Sequence, residues 1–550
     1  MHFSCDFSNN FEEYALYNKT NFMRNLLLLV LVSLSASAFA QLGTGQWRMH
    51  VAAVQAIDVA YGDGLAMAAL KTGVIEYDEA AGESKIYNDQ NGLSDILVSC
   101  ISYDPGTKSF FIGYTNGNID QLYSDGTVVN IPAVKLASIT GNKRINSFVS
   151  RNGRVYAATG FAIIVLDPNK HEVKDTYNPL AVPKNYQSVL FVNDSIYALH
   201  NDGMVKAFAN NPLLGNPNNW SVDTRVTIPA LDVSYQKGAV YNNELYILAK
   251  KDIYGGDSIM KVTSSGLQEF IGHEFSMEIN NFQIVNNKFG VSYGDSYILF
   301  NEDGSIFLGI SNYSNPEPEI RALTYDGSKY WIADYRNGLV EYQAGAVKVI
   351  SREGPPANDF FSINGNNGKI SITAGTVDRV VLTFNSPAAY TMKDEDWVLF
   401  DKPNQPVVWS SGVWDIGSTA INPKNLDEVA FGGYCTNGLS ITNGSAVTGV
   451  YGASNSILEN TSLGNNWTCV TALDYDEDGN LWIVNGYSLK PLKVKAADGN
   501  WYAMNTNPII SNAFASELAI DYNGNKWVGI YGKGLMGYKD NGTIPTTSDD

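Results

Sequence analysis

The sequence predicts an all-β chain of tandem β-propellers, a complete seven-bladed ring followed by a second, incomplete propeller. Three observations lead there. A unit of alternating strands recurs about every 40–48 residues, the length of one four-stranded blade. The composition is strand-prone and rich in turns, with 50 Gly, 32 Tyr and 12% aromatic residues. No segment after residue 40 shows helical periodicity with caps. At 550 residues the chain would otherwise suggest three or four domains of roughly 150 residues each, but a repeat merges several small cores into one ring. With 44% hydrophobic and 17% charged residues it can build a real core, which excludes disorder, collagen and long coiled coil.

In chain order, Met23, Arg24 and Asn25 precede an apolar run from Leu26 to Leu34 and the small-x-small site Ala38-Phe39-Ala40, the three parts of a secretory signal over 23–40. Residues 1–22 carry Asp6, Glu12 and Glu13, the wrong charge for such a start, and read as a spurious extension before a true Met23. Gln41 follows the cut, so no lipobox cysteine anchors the mature chain. No later run reaches about 18 apolar residues, and the mature chain is expected to have no transmembrane segment.

The repeat is fullest at 320–342: a strand, the turn Tyr325-Asp326-Gly327, a second strand with Trp331, a turn ending at Gly338, and a third strand ending at Tyr342. The layout recurs at 57–77, 100–119, 145–167 and 189–205, and more weakly around 240–248 and 282–292. Those seven units assign 41–350 to a seven-bladed propeller, because a closed ring packs each small sheet's faces on its neighbours. Residues 47–51 have the length of a strand that would complete the last blade and close the ring. Four further units, at 361–374, 416–439, 470–484 and 518–535, assign 351–550 to a second propeller lacking about three blades, with open sheet edges. An insertion is expected around 390–413, where Pro403 and Pro406, with Pro387 just before, read as loop or edge.

The chemistry of sites is mostly negative. A net charge of −19 argues against a nucleic-acid partner. Cys5, Cys100, Cys435 and Cys469 are too scattered for a disulfide framework or zinc site and read as idle or buried thiols. The G-x-S-x-G match around Ser292 has no histidine after it, the last being His273, and reads as strand. His273-Glu274 has Met277 where a metalloprotease needs its second His, and His50, His171 and His200 are dispersed. Asp474, Asp476 and Asp478 resemble half a calcium loop, but its twelfth position is Asn485, so a plain Asx turn is the better reading. Trp331, Trp482 and Trp527 share one blade position and read as inter-blade core. No catalytic residue, metal or cofactor is implied.

The turns between second and third strands share one end of the ring with the blade-to-blade links, an end where loops commonly bind ligands. Lys71, Tyr335, Arg336, Tyr531 and Lys533 lie on such turns, and a basic, aromatic rim on an acidic body would suit an anionic glycan.

Gly45-Gln46-Trp47-Arg48-Met49-His50, the run from Asp63 to Asp78, and Asn91-Gly92-Leu93-Ser94-Asp95 together resemble the PorZ family of the type IX secretion system over most of 41–550. That resemblance implies two seven-bladed propellers followed by a C-terminal sorting domain, so this chain reads as truncated. It implies a non-enzymatic, outer-membrane-associated cell-surface component that binds anionic lipopolysaccharide. The component would present it to the sortase PorU, with PorV and PorQ, for attachment to cargo. Asp478 to Ile483 also looks like the regulator propellers of sensor kinases, which keeps a sensor as one alternative. A glycan-active enzyme is the other.

Overall fold

The structure, a computed structural model, describes residues 49–550 except 140, 253–255, 273–277, 314–316, 351–353, 359, 376, 379–380, 407–408, 410–412, 435–437, 463–465, 507–508 and 546–550. The expected extension 1–22 and signal 23–40 lie outside the described residues. His50–Asp550 forms one compact unit.

Seven four-stranded antiparallel sheets follow one another over 56–87, 98–130, 145–177, 186–222, 233–271, 281–310 and 320–349, here blades 1 to 7. In each, the strands pair in chain order. Their first strands neighbour one another in a circuit that returns from blade 7 to blade 1. The core is divided accordingly. Each hydrophobic cluster draws on two adjacent blades, and one joins Ala56, Val59 and Tyr77 of blade 1 to Ala322, Trp331 and Leu339 of blade 7. Because both faces of each sheet are covered, a strand such as Leu65–Leu70 is buried along its whole length and carries no polar alternation.

The ring closes without a borrowed strand, which corrects the expectation for 47–51. Blade 7 supplies its own fourth strand, Ala346–Val349, and residues 49–51 are not strand. Trp47 lies outside the described residues. Val51, Ala52, Ala53 and Val54 are instead a buried link, tied by Gln55 N–H donating to the Tyr335 carbonyl at 2.7 Å. Gly338, at φ +73°, is required there, since a Cβ would stand 1.8 Å from the Ala53 carbonyl oxygen. Side chains complete the seam: Lys348 donates to the Tyr77 hydroxyl at 2.8 Å, and Lys329 pairs with Glu79 at 2.9 Å and Glu341 at 3.3 Å.

A first strand has one edge facing the ring centre, and its unpaired N–H groups need partners. Neighbouring blades provide them. Asp58 accepts from Ile101 N–H at 3.2 Å, Ser188 Oγ from Gly238 N–H at 3.0 Å, and Gln283 from Leu323 N–H at 3.0 Å. Most first strands also carry a β-bulge near their start, for example at Ala56/Asp58, Val98/Cys100, Tyr186/Ser188 and Ile320/Ala322. Such a bulge adds the local twist that a blade needs.

The second array has four sheets, blades 8 to 11, over 362–401, 416–451, 470–503 and 515–538, the last with three strands. Three clusters join them in series, and no cluster among the described residues joins blade 11 back to blade 8. The same strap recurs: Asn364 accepts from Ile421 N–H at 3.2 Å and Asp474 from Ile520 N–H at 2.9 Å. The expected insertion at 390–413 is displaced. Ala388–Lys393 and Asp396–Asp401 are the third and fourth strands of blade 8, and the extra residues lie at 374–387, with the small hairpin Val377–Asp378 and Val381–Leu382. Pro387 and Pro403 flank those strands, which is why they read as loop. Two short helical turns, Ala133–Leu136 and Pro217–Asn219, depart from the strictly strand-and-turn expectation.

Trp331 and Trp482 are fully buried between blades, and their indole N–H groups donate to the turn carboxylates of Asp326 and Asp476, both at 2.9 Å. Trp527 makes the same bond to Asp521 at 3.0 Å but remains 40% exposed, because no described sheet packs on that face of blade 11.

Candidate binding surface

The turn bearing Tyr335 and Arg336 is shaped by Asp334. This buried carboxylate accepts N–H groups from Arg336 at 2.9 Å, Asn337 at 2.8 Å and Glu319 at 2.9 Å. Burial nonetheless holds its pKa above the usual range. The turn presents the Tyr335 ring at the seam. Lys71 Nζ donates to its hydroxyl at 2.8 Å and sits 5.0 Å from the ring centroid, and the Arg321 guanidinium lies over the same ring, also at 5.0 Å. The fold thus brings Lys71, Tyr335 and Arg336 together from blades 1 and 7.

Arg336 is already engaged, with Nη1 2.9 Å from Glu317 and Nε 3.2 Å from Glu319. Both Arg336 and Glu317 are more than half exposed, so the pairing is worth at most about 1 kcal/mol and an anion could displace it. Tyr531 and Lys533 are not part of this group. They occupy the corresponding turn of blade 11, where Tyr531 is 69% exposed and its ring centroid lies 6.2 Å from that of Phe514. Sequence reasoning missed Arg321 and the aromatic neighbours of Tyr531. A readable signal existed, the recurrence of Tyr just after the second strand at Tyr335, Tyr434, Tyr487 and Tyr531.

The remaining motifs resolve as structure. Ser292 ends the strand Lys288–Ser292, and its hydroxyl donates to the Ile320 carbonyl. Asp474 turns inward to blade 11, while Asp476 turns to Asp478 N–H, Asn480 and Trp482, so the carboxylates diverge. Among the described residues no His, Cys, Asp and Glu group could hold a metal ion. His50 lies 3.6 Å from Glu395, His171 contacts Gln121 at 3.0 Å, and His200 packs on Tyr186. His273, Glu274 and Met277 lie outside the described residues, as do Cys5 and Cys435. Cys100 is a free, buried thiol whose pKa burial pushes up to about 12. Cys469 is disulfide-bonded, which corrects the reading of idle thiols: separation along the chain is no bar to pairing once blades fold. No described helix is long and apolar enough to cross a membrane.

Comparison with known proteins adds sequence and fold evidence. Residues 68–221 match the family model described as the type IX secretion PorZ N-terminal β-propeller domain. A solved PorZ from Porphyromonas gingivalis, described as an essential bacterial surface component of the type-IX secretion system, superposes with a TM-score of 0.76 at 21% identity, covering 92% of this chain and 67% of that one. This chain therefore spans about two thirds of that structure's length. The extracellular domain of a putative hybrid two component system from B. thetaiotaomicron matches at 14% identity with a TM-score of 0.41, covering 91% of this chain and 65% of that one. No curated protein matches. The family match thus lies inside the first ring, and the solved PorZ shares the tandem-propeller fold along nearly the whole chain.

Proposed function

We propose that this protein is a non-enzymatic, outer-membrane-associated cell-surface component of the type IX secretion system attachment complex. In this reading it binds anionic lipopolysaccharide and delivers it to the sortase PorU, alongside PorV and PorQ, for cargo anchoring. The observation that carries the reading is the PorZ family match at 68–221, within the first ring. The disulfide at Cys469 supports an oxidising, extracytoplasmic setting. The division into 41–350 and 351–550 as two propeller domains belongs to the same proposal.

The ligand-facing residues in this reading are Lys71, Tyr335 and Arg336 on the first ring and Tyr531 and Lys533 on the second array. Arg336 would exchange its two carboxylates for a phosphate or uronate. The test is a pull-down on immobilised anionic lipopolysaccharide at increasing salt. Arg336→Ala with Lys533→Ala is expected to weaken retention and flatten its salt dependence, and unchanged retention would remove both residues from the site. New reducing ends after incubation with acidic polysaccharide would overturn the non-enzymatic assignment. Failure to co-isolate with PorU, PorV and PorQ would remove the complex.

A further inference from the structure

The second array gathers on one end a band of aromatic side chains that are far apart in sequence. Phe384 meets Trp414 and Trp467 with ring centroids 6.5 and 6.3 Å apart, both edge-on. Phe514 stacks on Tyr487 at 5.6 Å and touches Tyr531 at 6.2 Å. Buried Tyr434 packs edge-on against Phe514 at 5.8 Å, and Trp467 joins Tyr434 in the same cluster, so the two halves are continuous. Phe384 projects from the segment inserted in blade 8, Tyr434, Tyr487 and Tyr531 from the turns between second and third strands of blades 9, 10 and 11, and Trp414, Trp467 and Phe514 from blade-to-blade links.

This band differs from an apolar plug over the core in two ways. Phe384 is 55% exposed and Tyr531 69% exposed, whereas a plug would bury its rings. Phe384 and Tyr487 also hold φ of +56° and +53°, a left-handed conformation unfavourable for bulky residues and maintained only where the surroundings fix it. For Phe384 the fixing group is the fully buried Asp415 carboxylate, which accepts N–H bonds from Thr383 at 3.0 Å, Phe384 at 2.8 Å and Asn385 at 2.8 Å. A segment that departs from the repeat, in a strained backbone clamped by a buried charge, thus holds an apolar ring in water.

We infer that this band is a sugar-stacking platform for the pyranose rings of an anionic polysaccharide. The negative faces of aromatic rings attract the polarised C–H faces of sugars. Two cations border it: Lys402 Nζ lies 5.8 Å from the Trp414 ring centroid, and exposed Lys533 shares the turn of Tyr531. On a chain of net charge −19, those local cations favour an acidic glycan over a neutral one. The inference rests on the glycan-binding reading above and adds that the rings of the second array, more than the cations of the first, carry the affinity.

The test is calorimetric titration of the full chain with delipidated anionic polysaccharide, with lipid A as a separate probe. Phe384→Ala with Tyr531→Ala is expected to lose at least tenfold in affinity, with little dependence on salt. Phe384→Leu with Tyr531→Leu, which keeps bulk and apolarity but removes the rings, should lose a similar factor. Wild-type affinity in either double variant would overturn the platform while leaving glycan binding intact. No binding of polysaccharide by the wild type would overturn both readings. Full competition by lipid A would replace the platform with an acyl-chain site.

Discussion

Asp474 offers the sharpest quantitative test of how the blades are strapped together. Its carboxylate crosses from blade 10 to accept the Ile520 N–H of blade 11 at 2.9 Å, and burial raises its pKa from 3.8 to about 6 despite that bond. The native state therefore binds a proton more tightly than the unfolded chain between pH 3.8 and 6. Stability contributed by this group is greatest below that window and falls as pH rises through it. Above pH 6 the carboxylate is ionised in both states, at a cost of about 2–3 kcal/mol relative to a neutral group. Asp474→Asn keeps an oxygen acceptor for Ile520 and removes the charge. It should stabilise the second array by about 2–3 kcal/mol at pH 7 and abolish this group's share of the pH slope. Hydrogen exchange across 515–538, in wild type and variant at pH 4 to 7, reads both effects with the intrinsic exchange rate removed. A variant less protected than wild type at pH 7, or one that keeps the full slope, would refute the reasoning.

Two further outcomes follow from local geometry. Gly338→Ala should destabilise the first ring well beyond Gly327→Ala: both glycines have positive φ, but a Cβ at 327 meets open space while one at 338 strikes the Ala53 carbonyl. Strain alone at Gly327 costs about 1–2 kcal/mol, so equal melting shifts for the two would refute the seam geometry. Cys100 should resist thiol reagents at pH 8 in the folded protein and react on unfolding, since its thiol is buried and titrates near 12; rapid labelling of the native state would contradict that burial.

Blade units were legible because each is a local meander whose turns and alternating strands lie within about 40 residues. The seam was not. The short strand Ala346–Val349 is half exposed and offers little apolar pattern, so residues 47–51 looked like the better closing strand. Blade 8 was misread for a related reason: prolines beside Ala388–Lys393 and Asp396–Asp401 mimic a loop, although they only bracket the strands. The rim at Lys71, Tyr335 and Arg336 could be placed on turns from sequence, but its ion pairs with Glu317 and Glu319 depend on tertiary packing. The aromatic band was least legible, because Phe384 and Tyr531 come from blades 8 and 11 and meet through rings supplied by a turn of blade 9 and by the links between blades.

Closing the first ring with whole blades has a consequence for its architecture as a chain. Ala53, just before the first sheet, and Ile350, just after the seventh, sit in one cluster, so the entry and exit of the circle are side by side. Among the described residues, each sheet of the first ring comes from one continuous stretch of chain. Joining the old ends with a short linker and opening the polypeptide at another link between blades should therefore give a circular permutant that still folds.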